Sequence, residues 1–150
     1  MSAADLAALC RRLGPDVLRF QGPGGNFSVK DGDRLDVKAS GGTLATAAVE
    51  GLVATSRAAC LAGLPPDRGT APGPDDEAAY VAAVGGACLV PDGRRPTMEL
   101  GLHALVTQRF VLHSHSVAGM AAAGAGLPLP LPPGWQRIDV PAVAPGLELT

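Results

Sequence analysis

Aromatic side chains supply only 3% of this 150-residue sequence, with one Trp, one Tyr and three Phe. Stacking platforms for nucleobases are therefore scarce. Charge is sparse too, at 17%, with a formal net charge of −2 and a pI of about 5.8. The twelve Lys and Arg are scattered and form no basic stripe, which argues against nucleic acid as a partner. Long apolar runs are missing, because Gly or Pro breaks each one before it reaches the length of a bilayer span. At the N-terminus Asp5 precedes the apolar stretch and Arg11-Arg12 follows it, the wrong order for a signal peptide. No membrane partner and a cytoplasmic location are expected. Cysteine is limited to Cys10, Cys60 and Cys88, with no CxxC-like pair and apolar neighbours around each. That pattern predicts small buried thiols in a reducing compartment. A P-loop is absent, since no GxxxxGK[ST] occurs, and so is a GxSxG nucleophile elbow.

What the chain does contain is 47% hydrophobic residues, enough to close one core of ordinary domain size over residues 1–150. It also holds 20 glycines and 14 prolines, concentrated in turns and in two long stretches, 63–76 and 127–146. Apolar positions at Ala3, Leu6, Ala7, Cys10 and Leu13 predict a helix over 2–13, ended by Gly14-Pro15. Asn26–Lys30 and Arg34–Lys38 read as two strands joined by the Asp31-Gly32-Asp33 turn. Val49–Leu61 is helix-compatible in propensity. Asp75-Asp76-Glu77 opens a helix whose acidic first turn suits the macrodipole, and Gly85-Gly86 stops it. A further helix is expected from Arg95-Pro96-Thr97 to about Arg109, packing through Leu102, Leu105 and Val106. Phe110–His115 reads as a buried strand, Val117–Ala123 as a small-residue helix, and Arg137–Val140 as a last strand.

Three features carry chemistry. His113-Ser114-His115 interrupts an apolar run, and residues i and i+2 of a strand project to one face, so both imidazoles can reach one ion. Zinc favours neutral imidazole, and a catalytic zinc takes three protein ligands and an open position. The competing reading is two strand histidines satisfied by local hydrogen bonds. Glu99 and His103, at i and i+4, share a helix face just upstream. Glu99 suits a general acid or base, or simply a helix N-terminus; His103 reads as a packed, hydrogen-bonded helix residue. Third, Gly24-Gly25-Asn26, Ser40-Gly41-Gly42-Thr43 and Thr97 offer backbone N–H groups, hydroxyls and an amide suited to an anion.

These features occur in a fixed order: Gly24-Gly25-Asn26-Phe27-Ser28-Val29-Lys30, Val37-Lys38-Ala39-Ser40-Gly41, Arg95-Pro96-Thr97-Met98-Glu99 with Leu102-His103, and Val111-Leu112-His113-Ser114-His115-Ser116. Trp135-Gln136-Arg137-Ile138 and Pro145-Gly146-Leu147 continue it. The chain resembles the class II aldolase/adducin family over most of its length. The resemblance implies an α/β fold of three layers, α/β/α, around a mostly antiparallel sheet. It implies a zinc-dependent lyase, with another divalent metal as the substitute, that makes or breaks a carbon–carbon bond in a sugar phosphate through a metal-stabilised enediolate. By that match His113 and His115 are zinc ligands and Glu99 the proton-transferring residue. Gly25, Asn26, Ser40, Gly41 and Thr97 line the phosphate site, and the assembly is a homo-oligomer, a tetramer by resemblance.

Two departures accompany the resemblance. The family's third zinc histidine lies in an Asn-His-Gly-like segment that does not occur before Thr150, so the domain is expected to be C-terminally shortened. Glu99, a neighbouring subunit or water would then complete the metal shell. Met98 stands where sugar-phosphate aldolases often carry a second Ser, which opens the way to a substrate that is unphosphorylated or differently anchored. Two alternatives therefore stay open: an adducin-like structural or interaction domain without catalysis, and a metal enzyme of the same fold performing dehydration, epimerisation or decarboxylation.

Overall fold

The computed structural model describes residues 1–64, 73–90, 92–128 and 130–136. The strand expected at 137–140 and the loop residues 65–72 lie outside them. Helix α1 (Ala3–Leu13) begins at a capping box in which Ser2 and Asp5 bond each other's backbone N–H, and ends beside Gly14. Strands β1 (Asn26–Asp31) and β2 (Arg34–Lys38) form the expected hairpin, with Gly32 in the left-handed region at φ 60°. Strand β3 (Leu52–Ser56) follows, then α2 (Arg57–Ala62), α3 (Pro74–Gly86), α4 (Leu100–Leu105), β4 (Phe110–His113) and α5 (Val117–Gly124). The sheet order is β3-β2-β1-β4, and every pairing is antiparallel.

The pleat of β1 and β2 sorts the core into two. Phe27 and Val29 pack on one face with Leu52, Phe20, Leu44 and the Leu6, Ala7 and Cys10 stripe of α1. Leu35 and Val37 pack on the other with Cys60, Val84, Ala87, Leu100 and Ala104, from α2, α3 and α4 and the chain beyond α3. Helices thus cover both faces, giving three layers. Each fully buried Leu or Val contributes about 1.5–3 kcal/mol.

Three sequence expectations need correction. Helix propensity over Val49–Leu61 loses to pairing: β2 offers an edge, and residues 52–56 satisfy it from Lys38↔Leu52 to Arg34↔Ser56. Thr55, fully buried, donates its hydroxyl to Leu35 O at 2.7 Å. A single 3-10 turn (Val49–Gly51) precedes the strand, and the α-helix is confined to Arg57–Ala62, capped by Ser56. The helix expected from Arg95-Pro96-Thr97 to about Arg109 shrinks to Leu100–Leu105. Upstream, Pro96 bridges to Ala39, and the Tyr80 hydroxyl donates to Met98 O at 2.6 Å and accepts from Gly101 N at 3.0 Å. Downstream, Arg57 Nε takes Ala104 O at 2.7 Å, an acceptor that a longer helix would need. The inward face is Leu100, Gly101, His103 and Ala104, while Leu102 and Leu105 are exposed. Finally, β4 stops at His113 and is half-exposed, not a buried strand reaching His115. Cys10 and Cys60 are buried, and Cys88 is half-buried. Burial pushes the Cys10 thiol up to about 11.

Candidate functional site

Asn26 opens β1 opposite His113 at the end of β4, so the hairpin and the last strand bring the two motifs side by side. Along β1 the residues on the face covered by α2, α3 and α4 are polar: Asn26, Ser28 and Lys30 are all buried. Beyond the strand end, His115 is held by its N–H to Arg19 O at 2.9 Å and by Gln21 Nε2 to its carbonyl at 3.1 Å. The two imidazoles therefore stay adjacent, with ring centroids 4.8 Å apart, although only one lies in the strand.

Glu99 completes the group from the turn before α4. Its Oε1 lies 3.3 Å from His115 Nε2, and its Oε2 lies 3.3 Å from His113 Nδ1. The Asn26 amide donates to Oε2, and the Thr97 hydroxyl approaches the same oxygen at 3.4 Å. Burial works to raise the Glu99 pKa, but the proximity of His113 and then His115 outweighs it and holds the carboxyl at about 2. One ligand atom from each of Glu99, His113 and His115 falls within 4.8 Å of the others. His113 Nδ1 is buried near the carboxylate without the alignment of a hydrogen bond, and Asn26 Oδ1 is likewise without a partner among the described residues. Two imidazoles and a carboxylate form a donor set suited to a divalent metal, and the orphaned His113 nitrogen fits that use.

The glycine turn packs against this group. A Cβ at Gly24 would meet His115 Nδ1 at 3.1 Å. Gly25 has φ 79°, and a Cβ there would meet Phe20 at 2.6 Å and His113 O at 3.0 Å. Of the residues suggested for an anion, Gly25, Asn26 and Thr97 thus border the Glu99–His113–His115 group. Ser40 and Gly41 do not touch it. They are exposed on the loop after β2, joined to the neighbouring segment by Ser40 N to Arg95 O at 2.8 Å. Met98 is 44% exposed and turned into a separate cavity with Ser40, Arg94, Arg95 and Pro96.

A family model described as the Class II Aldolase and Adducin N-terminal domain matches residues 4–144. The chain belongs to this family. Among solved structures, the N-terminal class II aldolase domain of a conserved protein from Thermoplasma acidophilum is 29% identical, with a TM-score of 0.68. The similarity covers 82% of this chain and 59% of that one, so this class II aldolase/adducin chain spans less than two thirds of that protein's length. Comparison with curated proteins gives no match. The α/β class II aldolase fold is the observed one. No described helix is long and apolar enough to cross a membrane.

Two further buried groups lie near the site: His103, expected as a packed, hydrogen-bonded helix residue, and Lys38, which had no assignment from sequence. His103, fully buried on α4, pairs its Nδ1 with Ser28 Oγ at 2.8 Å, and its ring centre lies 6.4 Å from that of His113. Burial first, and then the charge of His113, hold its pKa down at about 4. Lys38, 5% exposed, donates to Pro23 O at 3.1 Å, Ala39 O at 3.4 Å and Gly42 O at 2.5 Å, tying the two glycine turns together. Burial depresses its pKa, and Glu99 opposes that shift. Strand alternation carried the signal: polar residues at 26, 28 and 30 on one face of β1 mark a strand that buries hydrogen-bonding groups instead of aliphatic ones.

Proposed function

We propose that this chain is a metal-dependent lyase of the aldolase type. It would act on a hydroxy-carbonyl compound bearing an anionic group, such as a sugar phosphate, with zinc as the metal. The observation that supports this best is the Glu99 carboxylate, fixed 3.3 Å from both His113 and His115. His113 and His115 are the ligands, and Glu99 is the third donor grouped with them. A divalent metal held there supplies Lewis-acid polarisation of a carbonyl and its neighbouring hydroxyl.

The rest of the chemistry falls to the chain. Asn26 and Thr97 hold Glu99 Oε2, and with His115 Nε2 engaged by a metal, Oε1 would be the oxygen free to take a proton from substrate and return it. The low Glu99 pKa comes from the neighbouring imidazoles. Ligand histidines are neutral, and a divalent ion beside Glu99 would keep its carboxylate ionised and able to accept a proton. Gly25, Asn26, Ser40, Gly41 and Thr97 are assigned to the anionic group, with Lys38 setting the separation of the two turns.

Metal analysis of protein purified without chelator tests the site. About one zinc per chain is expected, with loss in His113→Ala. In a retro-aldol assay over a panel of ketose phosphates, Glu99→Gln keeps an oxygen for the metal but loses the base. Turnover should then fall by about 10²–10⁴-fold with metal content retained. Absence of metal binding would point to the non-catalytic, adducin-like alternative. Turnover that survives Glu99→Gln would remove the role given to that residue.

A further inference from the structure

At the far end of β1 from the Glu99 group lies a second polar site. Lys30 is four residues from Asn26 along the strand, or about 13 Å. There a cavity is lined by Lys30, Asp31, Gly32, Arg57, Thr107 and Arg109, three cations against one acid. Lys30 is only 6% exposed, yet its ammonium has one acceptor, Gln108 O at 3.0 Å. Arg57 is half-buried, and its Nε is spent on Ala104 O. Arg109 is exposed, and its guanidinium lies 5.1 Å over the Phe110 ring.

Among the described residues no carboxylate lies within ion-pair distance of Lys30, Arg57 or Arg109. Burying an ammonium costs free energy unless it is paired, and a second cation beside it raises that cost. Arg57 does lower the Lys30 pKa further, after burial itself. Carbonyl acceptors use one donor from each of Lys30 and Arg57. Two protons of the ammonium, the remaining guanidinium N–H groups, Arg109 and the Thr107 hydroxyl are left for a ligand. Fork-shaped guanidinium donors together with an ammonium match a tetrahedral oxyanion.

We infer that the Lys30–Arg57–Arg109 cavity is a binding site for a phosphate group, separate from the Glu99–His113–His115 group and independent of any metal there. The ligand is inorganic phosphate or the phosphate of a monoester, since both present the same oxyanion.

Calorimetric titration of chelator-treated protein with inorganic phosphate tests this, with glycerol phosphate and acetate as parallel arms. Saturable phosphate binding is expected, weakened about tenfold or more in Arg109→Gln and in Lys30→Met and retained in Lys30→Arg. Arg109 is exposed, so its variant remains informative if Lys30→Met does not fold. Arg12→Gln, which removes an equal charge from the exposed side of α1, should leave the affinity unchanged. Glycerol phosphate binding as tightly as phosphate assigns the site to an ester, and binding of phosphate alone assigns it to the free ion. Phosphate affinity that is unchanged in both Arg109→Gln and Lys30→Met overturns the inference. So does acetate binding as tightly as phosphate.

Discussion

Lowering the pH should destabilise this domain through His103. The unfolded chain protonates that imidazole near 6.5, whereas in the fold burial and the neighbouring His113 hold it at about 4. Between those values the unfolded state binds more protons, so stability falls as pH falls. The contribution is almost fully retained at pH 7.5. About 2 kcal/mol is lost by pH 5, and the loss levels off at roughly 3 kcal/mol below pH 4. The comparison is a His103→Gln variant, which does not titrate and keeps an amide in reach of Ser28 Oγ. Urea unfolding of metal-free protein at pH 7.5 and pH 5 reads the effect. Other groups titrate in both proteins, so the difference between wild type and variant isolates His103. That difference should move by about 2 kcal/mol in favour of the variant on acidification, or about 1 M in midpoint. A difference that does not change with pH would refute the assignment of a neutral, buried imidazole.

Substitutions at two further positions probe the frame around the site. Gly25→Ala places a side chain at φ 79° against Phe20 and His113 O, so a loss of about 2–4 kcal/mol is expected, seen as a fall in Tm of roughly 5–15 °C. A melting curve that overlays wild type would mean the turn relaxes freely. Thr55→Val removes the hydroxyl bonded to Leu35 O in a fully buried position and should cost about 1–3 kcal/mol, while Thr55→Ser keeps the bond and costs less. A larger loss in Thr55→Ser than in Thr55→Val would mean that the β-branched methyl, not the hydroxyl, sets the stability of β3.

Local rules reached the elements whose information is local. The α1 capping box, the Gly32 turn and the acidic start of α3 all lie within a few residues of the structure they specify. They failed where a distant partner decides. Residues 52–56 become a strand because β2 offers an edge, and that outweighs helix propensities of tenths of a kcal/mol per residue. Helix α4 stops early because Arg57, far away in sequence, claims its carbonyl. Leu102 and Leu105 look like a packing face by spacing, yet Tyr80 and Leu64 crowd Gly101 and turn the opposite side inward. The histidine pair was readable because its spacing suits one face, although His115 owes its position to Arg19 and Gln21 and not to the strand.

By itself, the sequence determined the hairpin, the first helix, the family and the residue types of the site. These rest on turn chemistry, amphipathic period and ordered motifs, all of which survive without coordinates. Only the tertiary structure decided that Glu99 stands between both imidazoles with Asn26 and Thr97 behind it. It also decided that Lys30 shares a cavity with Arg57 and Arg109. The physical reason is the same in each case. Antiparallel pairing of β1 with β4 joins segments more than eighty residues apart, and a contact at that separation leaves no periodic trace in the chain.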